Sequence, residues 1–298
     1  KISGVEIPPV DVITFGSPCQ DLSQIGTRNG FAGPKSSLFY QALRIIEEMR
    51  DATNGRYPAF TIWENVAGAF SSNDRLDFAA MLRAFTGAEV SVPSRGWAHA
   101  GMVRGGRADT AWRLLDAQYW GEPALVQRRK RVFVVADFAG QRAGEVLFKP
   151  RTVLPFSAIG GPGGLSATAG SGVPAAQTGR QVPIVRPFSL RRMRTMAQVG
   201  DQKGFCASFG RGGEPFPTLL ASVTAPFSFW YEGEERDGFL RALTPLECER
   251  LMGLPENWTK YGCKNEEISD HARYRALGNS IALPCAEYVM AGIAEVMN

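Results

Sequence analysis

A single thiol stands where chemistry is easy to build. In FGSPCQDLSQIG, residues 15–26, Cys19 lies just past a hydrophobic run, residues 10–15, that reads as a strand. Its neighbours Pro18, Gln20, Asp21 and Ser23 are polar or turn-forming rather than an apolar wall. A nucleophilic cysteine must be reachable and stabilised as the thiolate, and open α/β sheets hold their chemistry at strand carboxyl ends. Against this, an isolated free cysteine is more often buried and inert.

Three other stretches carry groups of the right kind. AFTIWENV, residues 59–66, is a short apolar run ending in a carboxylate, Glu64. Adjacent strands of a parallel sheet deliver their last residues to one edge, so Cys19 and Glu64 could face one pocket; the alternative is a strand-end glutamate in solvent. QRRKRVFVV starts as a basic run and continues as a buried strand. Alternation turns Arg129 and Arg131 to one side and Arg128 and Lys130 to the other, and two guanidiniums on one side could hold phosphates or a base carbonyl. RYRALGNSIALP places Gly278 and Asn279 ahead of a helix with Ser280 as its N-cap, either a backbone turn near a ligand or an ordinary helix start.

The elements that must position these groups alternate in the first half. SSLFYQALRIIEEMR has helical spacing with Ser36 or Ser37 as cap. DRLDFAAMLRAF reads as a second helix, AWRLLDAQYW as helix or strand, and RVFVVADF as a strand. The expectation is a mostly parallel sheet with helices on its faces. Residues 156–179 are rich in Gly, Ala, Ser and Pro and read as a flexible linker, and 180–240 as a smaller, mainly β or irregular region. In LTPLECERLMGLP, Thr244 caps a helix, Pro245 opens it, Glu247 closes a capping box and Gly253 ends it. SIALPCAEYVMAGIAEVM is apolar nearly all round, so it is expected to be buried against the first sheet.

The bulk numbers exclude more than they assign. The chain has 298 residues and a formal net charge of +4, which permits nucleic-acid binding without arguing for it. Its 5 cysteines include no CxxC pair and it has only 2 histidines, so zinc and disulfide frameworks are not expected. No segment reads as a signal peptide or membrane span.

In order and flanks, GSPCQDLS, SSLF, ENV, QRRKR, RALTPLECERLMGLPENWT and RYRALGNSIALP resemble the DNA cytosine-5 methyltransferase family, bacterial or phage type. The resemblance implies an α/β, Rossmann-like sheet that binds S-adenosylmethionine (AdoMet), with residues 1–148 and 272–298 catalytic and 149–271 a target-recognition domain. It implies methyl transfer to carbon 5 of a flipped-out cytosine in duplex DNA, in a bacterial or phage-infected cytoplasm and in a restriction-modification setting. Cys19 is then the nucleophile. Glu64 acts at ring nitrogen 3 and the exocyclic amine, which asks for a raised pKa. Arg131 holds the oxygen at carbon 2, and Arg129 the ring or thiolate region. Pro18, Leu38, Asn279 and Ser280 border the cofactor. Gln20 and Ser23 close over the flipped nucleotide, and Arg191, Arg192 and Arg194 contact DNA. The family's glycine-containing cofactor loop has no counterpart here, so the chain is expected to be N-terminally truncated, completed by a further segment or chain, and inactive alone. An RNA cytosine methyltransferase of the same family and a non-catalytic DNA-binding fragment are the alternatives.

Overall fold

A computed structural model describes residues 2–17, 38–149, 184–187, 215–216, 218–219, 227–231 and 238–298. The chain divides into two compact units: residues 1–115, 130–150 and 287–298 form the first, and 116–129 with 151–286 the second.

The first unit is built on strands β1 (Val12–Gly16), β2 (Phe60–Val66), β3 (Ala100–Arg104), β4 (Asp109–Asp116) and β5 (Lys130–Asp137), in the order β1-β2-β5-β4-β3. Helices α1 (Leu38–Ala52), α2 (Leu76–Thr86) and α3 (Ala143–Leu147) accompany it. AWRLLDAQYW resolves into the end of β4 and a short 3-10 turn, Ala117–Tyr119. The expected mostly parallel sheet is not what forms. β1 and β2 are parallel, but β2–β5 and β3–β4 are antiparallel. The reason is local: β3 and β4 are joined by a tight turn at 105–108, and no crossover helix intervenes between β4 and β5 to restore the direction.

Alternation along β2 sets the two faces. Trp63 points to a core with Phe39, Leu43, Phe78, Leu82 and, from β5, Val132, Val134 and Ala136. Phe60, Ile62 and Glu64 point to the other face, where the Arg142 guanidinium lies over the Phe60 ring, 4.9 Å from its centroid. Arg142 also pairs with buried Asp137 at 2.9 Å.

The second unit holds a three-stranded antiparallel sheet, β6 (Ile184–Pro187), β7 (Phe227–Tyr231) and β8 (Gly238–Ala242), and helices α4 (Pro245–Leu251) and α5 (Asp270–Asn279). The capping box at Thr244 and Glu247 is formed, and Gly253 ends that turn at φ +72. Two readings change. Gly278 and Asn279, ahead of the last helix, are themselves the last turn of α5, and the Ser280 hydroxyl donates to Leu277 O at 2.9 Å as a C-terminal cap instead of opening the next helix. The last helix, α6 (Leu283–Met297), buries one stripe, Cys285, Val289 and Ile293, and leaves Met290 and Met297 exposed. Its later part does return to the first unit, where Tyr288 Oη donates to Leu147 O at 2.8 Å. No single helix among the described residues is long and apolar enough to cross a membrane.

Candidate functional site

Parallel pairing sets the end of β1 beside the end of β2, with Gly16 in register with Glu64. The glycine leaves the carboxylate its room: a Cβ at Gly16 would stand 3.3 Å from Glu64 O and 3.6 Å from its Oε2. Across the antiparallel pairing, Glu64 faces Phe133, and Arg131 lies one pleat further on the same side. From there Arg131 Nε donates to Glu64 Oε1 at 2.9 Å, with the two side chains 14% and 15% exposed. Burial draws the Arg131 guanidinium below the usual arginine range, and the Glu64 charge and hydrogen bond partly restore it.

The residues flanking Glu64 hold the end of β1. Trp63 Nε1 donates to Ser17 Oγ at 3.0 Å and Asn65 Nδ2 to Ser17 O at 2.7 Å. Trp63 is fully buried and Ser17 is 5% exposed, so both bonds are shielded from water. Sequence reading missed this clamp. Alternation in TIWENV does place Trp63 and Asn65 together, opposite Glu64, but their partner depends on the β1–β2 register.

Of the expected site residues, then, Glu64 and Arg131 are brought together. Pro18, Cys19, Gln20, Ser23, Arg191, Arg192 and Arg194 lie outside the described residues. Leu38 is 60% exposed in the first turn of α1. Asn279 is exposed and Ser280 half-buried at the end of α5.

Arg129 makes contacts of another kind. Expected at the ring or the thiolate, it is 2% exposed and directs its guanidinium to backbone carbonyls of the second unit. Nη1 donates to Leu219 O at 3.0 Å, and Nη2 to Gly278 O at 2.9 Å and Ser280 O at 2.5 Å. Its own amide donates to Asp116 Oδ1 at 3.0 Å. Buried arginine needs acceptors for its donors, and these carbonyls serve three bonds from Nη1 and Nη2.

The described cysteines are Cys248, Cys263 and Cys285. Burial, reinforced by Glu247 and Glu249, pushes the Cys248 thiol up to about 12. Cys285 is also buried, and Cys263 is exposed. No group of metal-ligating side chains occurs among the described residues.

A carboxylate and a guanidinium are thus paired beside a strand that ends at a glycine, three residues ahead of Cys19 in the sequence. The profile of C-5 cytosine-specific DNA methylases matches residues 1–149 and 191–295. The chain belongs to the C-5 cytosine-specific DNA methylase family.

Relatives of this DNA methylase chain include type II methyltransferase M.BsuFI of Bacillus subtilis, 25% identical over 99% of this chain and 60% of the relative. A protein of Escherichia phage P1 named DNA N-6-adenine-methyltransferase is 23% identical over 97% of this chain and 53% of its own length. Type II methyltransferase M1.ScrFI of Lactococcus lactis is 24% identical over all of this chain and 65% of the relative. The chain therefore spans a little over half to about two thirds of the length of these relatives. Among solved structures, a DNA modification methyltransferase encoded within an E. coli prophage shares the fold at TM-score 0.52 and 16% identity, over 98% of this chain and 80% of that one. The fold is thus the α/β, Rossmann-like sheet of AdoMet-dependent methyltransferases.

Proposed function

We propose that this chain carries the nucleophile and the base-binding pocket of an enzyme that methylates carbon 5 of cytosine in duplex DNA. The observation that carries the reading is the Glu64–Arg131 pair, in register with the strand end that leads to Cys19 three residues beyond Gly16. Cytosine carbon 5 is a poor nucleophile. Addition of the Cys19 thiolate to carbon 6 makes it enamine-like, splitting one hard step into two easier ones. Arg131 binds the oxygen at carbon 2 as charge gathers there, and Glu64 engages nitrogen 3 and the exocyclic amine. AdoMet supplies the activated methyl group. Loss of the carbon 5 proton to a base then expels Cys19. A base inside the duplex stack cannot be reached this way, so the cytosine must be flipped out.

Two of the residues proposed to meet AdoMet, Leu38 of the first unit and Asn279 of the second, are solvent-accessible. Leu38 offers exposed apolar surface, and the Asn279 side chain is exposed; with Pro18 and Ser280 they would border the cofactor. The first unit also supports completion by a further strand-bearing segment, upstream or on another chain. Among the described residues β1 is an edge strand, and its apolar Val12, Ile13 and Phe15 are only half-buried. Residues 1–148 and 272–298 act as the catalytic domain and 149–271 as the target-recognition domain. Gln20 and Ser23 contact the flipped nucleotide, and Arg191, Arg192 and Arg194 the DNA. The setting is a bacterial or phage-infected cytoplasm.

The test is nucleoside mass spectrometry of duplex DNA after incubation with AdoMet and this chain, alone and with the proposed complementing segment supplied. The expected product is 5-methylcytosine, from the completed protein only. N6-methyladenine, or no product from the completed protein, would refute the reading.

A further inference from the structure

The basic run 127–131 is read above as a source of base contacts, yet Arg129 makes a different set of bonds. Its segment is first laced to 216–218 by the backbone. Phe216 N donates to Val126 O at 2.7 Å, Arg128 N to Phe216 O at 2.6 Å, and Thr218 Oγ1 to Arg128 O at 2.6 Å. The Arg129 guanidinium then extends this seam at both ends, to Leu219 O and to the carbonyls of Gly278 and Ser280. All these residues belong to the second unit. Leu219 and Gly278 are far apart in sequence, and one side chain joins them.

We infer that Arg129 is a positioning residue, a latch that holds the Gly278–Ser280 turn and the 216–219 segment as one body. The turn carries Asn279 at the exposed end of α5. A planar guanidinium suits the task because one fork reaches carbonyls on separate segments; an ammonium on a lysine stem cannot span them in the same way. Removing it leaves two buried carbonyls and one part-buried carbonyl short of a donor. The kinetic consequence rests on the reading that Asn279 and Ser280 border AdoMet: the latch then acts on cofactor affinity rather than on the reacting ring.

The test compares wild type with Arg129→Lys and Arg129→Met by hydrogen–deuterium exchange on the full chain. The expected result is faster exchange in peptides covering 216–219 and 277–283 together, roughly tenfold or more, with strands 60–66 and 130–137 unchanged. Arg129→Lys guards against a variant that merely fails to fold. In the completed enzyme, the KM for AdoMet should rise by a similar factor while kcat stays within about threefold. Unchanged exchange in both segments overturns the latch, as does loosening of only one of them. A fall in kcat with unchanged KM and unchanged exchange would return Arg129 to the ring. If no methyl transfer is detected at all, the proposed function fails, but the exchange result still decides the latch.

Discussion

Arg129 and Arg131 stand two residues apart in one basic run and end in opposite circumstances. Arg131 begins a strand, keeps 14% of its side chain exposed and meets a carboxylate at 2.9 Å. Arg129 ends the preceding connection, is 2% exposed and meets only carbonyls in the bonds described above. A carboxylate–guanidinium pair left partly open can exchange partners with a polar ligand. A guanidinium held by three backbone carbonyls would have to break those bonds first. Charge and spacing alone therefore do not tell a chemical arginine from a structural one; what each can reach does.

The comparison breaks most visibly at Arg131. Arg131→Met and Glu64→Gln should each lower turnover by about 10²–10⁴ and leave DNA affinity close to wild type, as measured by steady-state kinetics beside a binding titration. A loss confined to binding would place the pair outside the chemistry.

The second unit has a buried ion pair of its own for contrast. Glu249 is fully buried and accepts from Asn257 N and Thr259 N, both at 2.8 Å, and from Arg273 Nη2 at 3.1 Å. Burial pushes its carboxyl up, but the Thr259, Arg273 and Asn257 bonds outweigh that and hold it below the usual range. Its contribution is therefore full above the ordinary carboxylate pKa and is lost as pH falls through the lowered folded value. Glu249→Ala should cost about 3–5 kcal/mol and flatten that acid-side loss. The exposed Trp258, between the two anchored residues, gives a fluorescence signal for urea unfolding across pH.

Smaller effects sharpen the picture at the β1 end. Ser17→Ala leaves the buried Trp63 indole N–H without its acceptor and should cost about 1–3 kcal/mol in chemical denaturation. Gln127 is the converse case. It is fully buried, and neither amide atom has a hydrogen-bond partner among the described residues. Gln127→Leu should change stability by less than about 1 kcal/mol, because it removes polar atoms that gain nothing there. A clear destabilisation would mean that the amide does have work in the fold.

What could be read from the sequence was local. Thr244, Pro245 and Glu247 announce a helix start because capping uses neighbours in the chain, and the structure forms that capping box. The helical spacing after residue 38 and the strands around Trp63 and Phe133 follow from side-chain periodicity. Only the family resemblance groups Glu64 and Arg131 in the sequence; their contact needs β5 to run antiparallel to β2, so that the start of one meets the end of the other. Strand direction was not readable, since it depends on whether the connection before β5 crosses over. Nor was the fate of Arg129, because Leu219 and Gly278 approach it only through tertiary folding. Ser280 was misplaced for a related reason: a serine between two helices can cap either, and its hydroxyl turns back to Leu277.

The most direct test of the account is covalent trapping on duplex DNA containing 5-fluorocytosine at the target, where fluorine cannot leave as a proton. With AdoMet and the completed protein, wild type should form a stable protein–DNA adduct. Cys19→Ser should form none, and Glu64→Gln should form it at least about a hundredfold more slowly at saturating DNA. Trapping of Cys19→Ser at the wild-type rate would contradict the account.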